Sequence, residues 1–76
     1  MNITQLKVGQ RAIVTRVHGD SLIALRLQEL GLTPGTTITL QRTAPLGDPV
    51  LLHLRGYTLA LRKAQAMLIF VKGELS

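Results

Sequence analysis

The stretch RLQELGLTPGT, residues 26–36, contains the end of a helix and the turn that follows it. Its first five residues are good helix formers, and Gly31 supplies the left-handed position at which helices commonly stop. Thr33-Pro34-Gly35-Thr36 has the composition of a type II turn, because proline presets φ at the second position and glycine accepts a positive φ at the third. The stretch therefore predicts a helix that turns directly into a strand.

The residues before this stretch predict where the helix begins and which side of it is buried. Asp20 or Ser21 can accept a hydrogen bond from the first free backbone amides, so a helix is expected over about residues 21–30. Ile23, Leu27 and Leu30 recur at helical spacing and are expected to face the core. Leucines that fall off this stripe, Leu22 and Leu25 among them, make the helix more apolar than packing on one side requires.

The N-terminal segment predicts a lead-in followed by the first strand. Residues 3–9 form the lead-in, with Leu6 and Val8 as its anchors in the core. Residues 10–18 are rich in β-branched side chains and are typical of a strand. Their alternation places Val17 on the inner face only if a bulge near Thr15-Arg16 adds one residue, and bulges are common at barrel corners.

The C-terminal half predicts further strands at short intervals. Strands are expected over residues 36–43, 50–55, 58–62 and 68–72, with a single helical turn at residues 63–66. Residues 44–49 form a loop made rigid by two prolines, and Gly56-Tyr57 is expected to be a type II′ hairpin turn. Five short strands, one inserted helix and no long parallel crossover predict a mainly β chain, folded as a small barrel.

Length and composition restrict the class of protein. A chain of 76 residues is expected to be a single domain, residues 1–76. It has no cysteine, no stretch typical of a signal peptide and no apolar run long enough to span a membrane, so a soluble, cytoplasmic protein is expected. The net charge of +5 suits nucleic acid, an anionic membrane surface or an acidic protein face, and equally a solvated basic surface.

Catalytic and metal-binding patterns are absent from the sequence. No catalytic residue is predicted, because the few titratable side chains are spread from Asp20 to Glu74 without a paired acid and base. No cofactor is predicted either, since the glycines follow neither phosphate-loop nor dinucleotide spacing. No metal ligand is predicted, because the side chains that could act as donors have no ligand-like spacing. These side chains are His18, His53, Asp20, Glu29, Asp48 and Glu74.

Four blocks of the chain, in order, resemble the FeoA family. They are Gly9 with Ala12 and Val14, RLQELGLTPGT at residues 26–36, APLGDPV at 44–50 and RGYTLALRKAQA at 55–66. The resemblance implies a five-stranded SH3-like β-barrel with an inserted helix. The same domain type is found at the C-terminus of iron-dependent repressors of the diphtheria-toxin-regulator class, but this chain has no segment for their helix-turn-helix. The resemblance therefore favours a free-standing transport accessory.

The resemblance implies a non-enzymatic protein that regulates ferrous-iron uptake by contact with the cytosolic face of the membrane transporter FeoB. A homo-oligomer remains possible. The alternative is a basic small-barrel module that binds nucleic acid, which the near absence of aromatic side chains, only Tyr57 and Phe70, disfavours. Residues that the fold does not need are the predicted partner-binding set: Leu22, Leu25, Arg26, Glu29, Leu46 and Asp48.

Overall fold

The helices and strands of the chain occur in the order that the sequence predicts. The computed structural model describes residues 1–74. Strands are β1 Arg11–Val17, β2 Thr37–Thr43, β3 Val50–Leu54, β4 Tyr57–Leu61 and β5 Ile69–Gly73. Helices are α1 Ser21–Glu29 and the single turn α2 Lys63–Ala66, with short 3₁₀ segments at Ile3–Gln5 and Pro45–Gly47. None of the described helices has the length and apolar character that crossing a membrane requires.

The strands form one antiparallel sheet in the order β4-β3-β2-β1-β5. This confirms the mainly β fold and the number of strands. The register of β1 against β5 shifts between Val14 and Arg16, which confirms the predicted bulge near Thr15-Arg16. A second shift occurs in β2, between Leu40 and Arg42. The sheet is open, since within residues 1–74 no ladder joins its outermost strands β4 and β5.

The core is built almost entirely from aliphatic side chains that the strands turn inward. Val17, Leu59 and Leu68 pack at its margin. Val8 is wrong as an anchor, because 66% of it is exposed, and Ile3 and Leu6 anchor the lead-in instead. The buried hydrophobic residues are Ile3, Leu6, Ala12, Val14, Leu27, Leu32, Ile38, Leu40, Val50, Leu52, Leu54, Leu61, Ala66, Ile69 and Val71.

Helix α1 begins at the predicted cap but buries less than predicted. The Ile23 amide donates to Asp20 Oδ1 over 3.0 Å, which satisfies one of the free donors of the first turn. Leu27 is fully buried, whereas Ile23 is 40% and Leu30 38% exposed. The expectation that all three face the core is wrong for Ile23 and Leu30, because the neighbouring surface covers only a narrow stripe centred on Leu27.

The turn between α1 and β2 has the predicted form. The Thr36 amide donates to the Thr33 carbonyl over 3.0 Å, and Gly35 has φ +92°, the value that a type II turn requires at its third position. Gly31, just after the helix, has φ +106°. A Cβ at Gly31 would lie 3.1 Å from Arg55 Cδ and 3.3 Å from Leu54 Cδ1, so glycine is needed there for space as well as for conformation.

The β3–β4 hairpin has a different turn from the predicted one. Leu54 pairs with Tyr57, so the two turn residues are Arg55 and Gly56. Both have positive φ, 47° and 84°, which makes the turn type I′. The predicted Gly56-Tyr57 turn of type II′ is wrong. Moving the register by two residues leaves every side chain on the same face, so the hydrophobic alternation fits both turns equally well.

Side chains of this hairpin bind the C-terminal end of α1, an arrangement called here the hairpin–helix contact. Arg55 Nε donates to the Gly31 carbonyl over 3.3 Å, and the Tyr57 hydroxyl donates to the Leu30 carbonyl. Arg55 Nη2 also donates to Thr33 Oγ1 over 3.0 Å and to Thr36 Oγ1 over 2.9 Å. The contact satisfies the Leu30 carbonyl, which the helix end leaves free, and places a cation at the negative end of the helix dipole.

Two glycine substitutions distinguish the cost of a side chain at positive φ from the cost of a steric clash within the hairpin–helix contact. Gly35→Ala introduces a side chain at positive φ in open space and should cost about 1 kcal/mol of unfolding free energy. Gly31→Ala adds a collision with Arg55 and Leu54 to the same strain and should cost roughly 2–4 kcal/mol. Urea denaturation of both variants and the parent measures the difference; equal losses would contradict the packing role of Gly31.

Candidate functional site

The outward side of α1 carries four of the predicted partner-binding residues. Leu22, Leu25, Arg26 and Glu29 follow the spacing i, i+3, i+4 and i+7, which puts them on one side of a helix. All four are exposed, with Leu22 at 68% and Leu25 at 54%. We call these four residues the outward helix face. It combines two solvent-facing leucines with one charge of each sign, opposite the buried side chain of Leu27.

The proline-braced loop, residues 44–49, carries the other two predicted residues. Leu46 has its whole side chain in solvent and a left-handed backbone with φ 74°. Asp48 is also exposed, but its Oδ1 accepts the Lys63 amide over 3.0 Å. Asp48 therefore supplies an acceptor to the first turn of α2, a structural task that the sequence does not reveal. Of the two, Leu46 is the residue with no contact to explain its position.

The helix and the loop lie at different ends of the sheet. Strand β3 begins directly after the loop and ends at Leu54, next to the hairpin–helix contact. Five residues of extended chain span about 17 Å at ~3.4 Å per residue, so the loop is far from the C-terminal end of α1. Within residues 1–74 no hydrogen bond joins α1 to the loop. The six predicted residues therefore form two surfaces rather than one.

A surface groove of about 510 Å³ adjoins the outward helix face at the C-terminal end of α1. The hairpin supplies two of its residues, Arg55 and Tyr57, which sequence reasoning did not select. The available signal was Gly56, two residues after the last inward leucine of β3, because glycine suits the second central position of a type I′ turn. The groove is lined by Gln28, Glu29, Leu30, Gly31, Thr33, Arg55 and Tyr57.

The two aromatic side chains are both engaged within the molecule. The Arg16 guanidinium lies 4.8 Å from the centre of the Phe70 ring, and His18 meets that ring edge-on with centroids 6.3 Å apart. The hydroxyl of Tyr57 is used in the hairpin–helix contact. Small barrels that bind single strands stack bases on free aromatic rings. Within residues 1–74 the ring of Tyr57, which lines the groove, is the one aromatic face left for a base, whereas the basic side chains are mostly exposed.

The described part of the chain does not gather metal-ligating side chains. Among residues 1–74, no three of the histidine, aspartate and glutamate side chains come close enough together to hold one ion. Glu74, one of the possible donors, instead pairs with Arg11, with Oε2 2.9 Å from Nε. The acidic residues with visible contacts therefore act as helix caps or as an ion-pair partner.

An open five-stranded antiparallel sheet with an inserted helix is the architecture of a small SH3-like domain. A crystal structure of Stenotrophomonas maltophilia FeoA complexed with zinc, described as a procaryotic SH3 domain protein, has this fold. It is 30% identical, with a TM-score of 0.82, and the match covers 95% of this chain and 89% of that one. The family model for the FeoA domain matches residues 1–73, so the chain belongs to the FeoA family.

Two further relatives support this assignment. The solution structure of FeoA from Chlorobium tepidum is 38% identical, with a TM-score of 0.88, over 96% of this chain and 70% of that chain. A fusion of Fe(2+) transport protein A with the Fe(2+) transporter FeoB from Porphyromonas gingivalis is 36% identical over 72 residues. That match covers 95% of this chain but only 8% of the fusion protein.

Substitutions in the proline-braced loop should show that Asp48 stabilises the fold and that Leu46 does not. Asp48→Ala removes the acceptor for the Lys63 amide and should lower the unfolding free energy by about 1 kcal/mol. Leu46→Ala removes only solvent-exposed atoms and should change it by less than about 0.5 kcal/mol. Thermal unfolding followed by circular dichroism measures both, with Asp20→Ala as the reference for a lost helix cap. A stable Asp48→Ala variant would show that the cap contributes nothing.

Proposed function

We propose that this chain is a non-enzymatic accessory protein of ferrous-iron uptake that acts by contact with the cytosolic side of a FeoB-type transporter. One observation carries the proposal: a relative of almost the whole chain is joined to the transporter FeoB in a single polypeptide. Fusion keeps two domains at a high effective concentration, which benefits pairs that must meet. In an unfused system the same pairing requires a docking surface.

The outward helix face is the surface we assign to that contact. Leu22 and Leu25 expose apolar area that the core does not use, and Arg26 and Glu29 border it with opposite charges. Recognition through a helix commonly uses residues spaced i, i+3, i+4 and i+7, with apolar anchors at the centre and charges at the rim. The neighbouring groove at the end of α1 extends the surface to the β3–β4 hairpin.

A regulatory role is supported by the structural tasks of the charged side chains. Within residues 1–74, those with defined contacts cap helices, pair with each other, stack on Phe70 or hold the hairpin against α1. Ferrous iron is in this proposal the cargo of the transporter. The small domain changes transport by binding, and the free energy of that binding is its only means of shifting the transporter between states.

Leu25→Asp should abolish the accessory effect while leaving the fold intact. The substitution places a charge in the centre of the outward helix face, where desolvating it on binding costs several kcal/mol. Leu25 is 54% exposed in the free protein, so the unfolding free energy should change by less than about 1 kcal/mol. Uptake of radiolabelled ferrous iron in a strain lacking the parent gene, with the transporter intact, measures the effect.

Two matched variants make the experiment specific. Val8→Asp places the same charge on an exposed apolar residue of the lead-in, beside β2, and should restore uptake as well as the parent does. Leu46→Asp tests the proline-braced loop as the alternative docking surface. Normal uptake in the strain that lacks the gene altogether would disprove the accessory role. Loss of uptake with Leu46→Asp, but not with Leu25→Asp, would move the contact from the helix to the loop.

A further inference from the structure

The two edge strands of the sheet, β5 and β4, differ in whether another segment of the chain pairs with them. Beside β5, the Val71 amide donates to the Met1 carbonyl over 2.7 Å, and Asn2 forms a bridge with Phe70. That edge is therefore partly covered by the first two residues. Strand β4 is the opposite edge, and within residues 1–74 no other segment pairs with its outer side. An unpaired strand edge is a template for another strand.

The hairpin register determines which backbone groups this edge presents. In a two-residue hairpin the residues next to the turn, here Leu54 and Tyr57, exchange hydrogen bonds, and further such pairs follow at every second position. Tyr57, Leu59 and Leu61 therefore direct their amides and carbonyls toward β3. Thr58 and Ala60 direct theirs outward, where no backbone partner meets them in the described chain. The edge presents two donors and two acceptors.

Strand β4 carries none of the features that usually prevent edge pairing. Its sequence, YTLAL, has no charge and no proline, and its pairing with β3 has no bulge. The side chains of Thr58 and Ala60 are exposed and small, and the Thr58 hydroxyl donates to Gln41 Oε1 of β2, away from the free edge, so a neighbouring strand can approach. Tyr57, at the start of the strand, binds the end of α1 through its hydroxyl, so the edge begins beside the groove.

Charge indicates what kind of strand this edge accepts. Residues 49–73 contain no aspartate or glutamate. Arg55 precedes β4, and Arg62 and Lys63 follow it, all exposed. Two carboxylates lie near these ends, Asp48 at the Lys63 amide and Glu29 in the groove with Arg55, so the cations are in excess. We propose that the free edge of β4 binds an extended segment of a partner chain with acidic side chains at both ends, as an added antiparallel strand. The proposal goes beyond the function assigned above, because it requires no particular transporter.

A second copy of this chain fits the edge less well. Antiparallel pairing of β4 with itself, centred on Leu59, places Thr58 opposite Ala60 and satisfies the outward groups of both strands. The same register brings Arg55 of each copy toward Lys63 of the other, just beyond the paired residues of β4, so cations meet at both ends. Like charges at such cross-strand positions are destabilising, whereas carboxylates there would be attracted.

Nuclear magnetic resonance of the whole chain can test the proposal with a synthetic probe. The probe is the capped peptide Glu-Thr-Val-Thr-Val-Thr-Glu, and its control has lysine in place of both glutamates. Binding of the acidic peptide should slow hydrogen exchange of the Thr58 and Ala60 amides, while those of Leu59 and Leu61 are already protected. The lysine peptide should bind at least roughly tenfold more weakly, since each like-charge contact is unfavourable.

Two substitutions at Ala60 test the edge itself. Ala60→Pro removes an outward donor, which an edge strand tolerates, and should weaken acidic-peptide binding roughly tenfold. Ala60→Glu keeps the backbone donor and should weaken binding by repelling the peptide. Val8→Glu adds the same charge on an exposed residue of the lead-in beside β2, which β3 separates from β4, and should have little effect. If the proline variant does not fold, the comparison of the two glutamate variants still decides the test.

The possible results divide cleanly. The proposal is supported if the peptide protects only the Thr58 and Ala60 amides from hydrogen exchange. This protection should be stronger with the acidic peptide and should be lost in Ala60→Glu. Protection that rises with protein concentration in the absence of peptide would mean that a second copy occupies the edge, and would overturn it. Equal binding of both peptides, or chemical-shift changes confined to the outward helix face, would overturn it as well.

Discussion

The β3–β4 hairpin donates hydrogen bonds to the carbonyls at and just after the C-terminal end of α1 and so ties the helix to the sheet. Arg55 and Tyr57 bind the carbonyls of Gly31 and Leu30, and Arg55 also ties the hairpin to Thr33 and Thr36 in the turn before β2. One arginine therefore connects the helix end, the following turn and the hairpin. The absence of a Cβ at Gly31 allows this close approach, since even a methyl group would meet Arg55 and Leu54.

Helix α1 has apolar residues that the core does not use. In α1 only Leu27 is fully buried, so apolar packing holds the helix along one narrow stripe, and the hairpin adds polar contacts at its end. Leu22 and Leu25 can then face solvent without loss of the fold. Exposed aliphatic side chains are ordinary one at a time, but two of them one turn apart, next to a groove, form a surface suited to a partner.

Much of the fold follows from local patterns in the sequence. Alternating aliphatic residues determined which side of each strand is buried, and Asp20, Pro34 and Gly35 determined where the helix begins and how the chain turns into β2. The bulge in β1 was also predictable, because only an extra residue returns Val17 to the inner face. The exposure of Leu22 and Leu25 was deduced from the apolar residues that remained after the core was filled.

Only the tertiary structure decided three features of this protein. They are the hairpin register, the capping role of Asp48 and the division of the predicted site residues between two surfaces. A shift of two residues changes no side chain's face, so alternation left the turn ambiguous; the observed register places Arg55 and Tyr57 against the end of α1. Likewise, Asp48 is a cap because folding brings Lys63 to it from fifteen residues away. Patterns of period two or 3.6 report which face a residue occupies, whereas contacts between distant segments depend on how the elements pack.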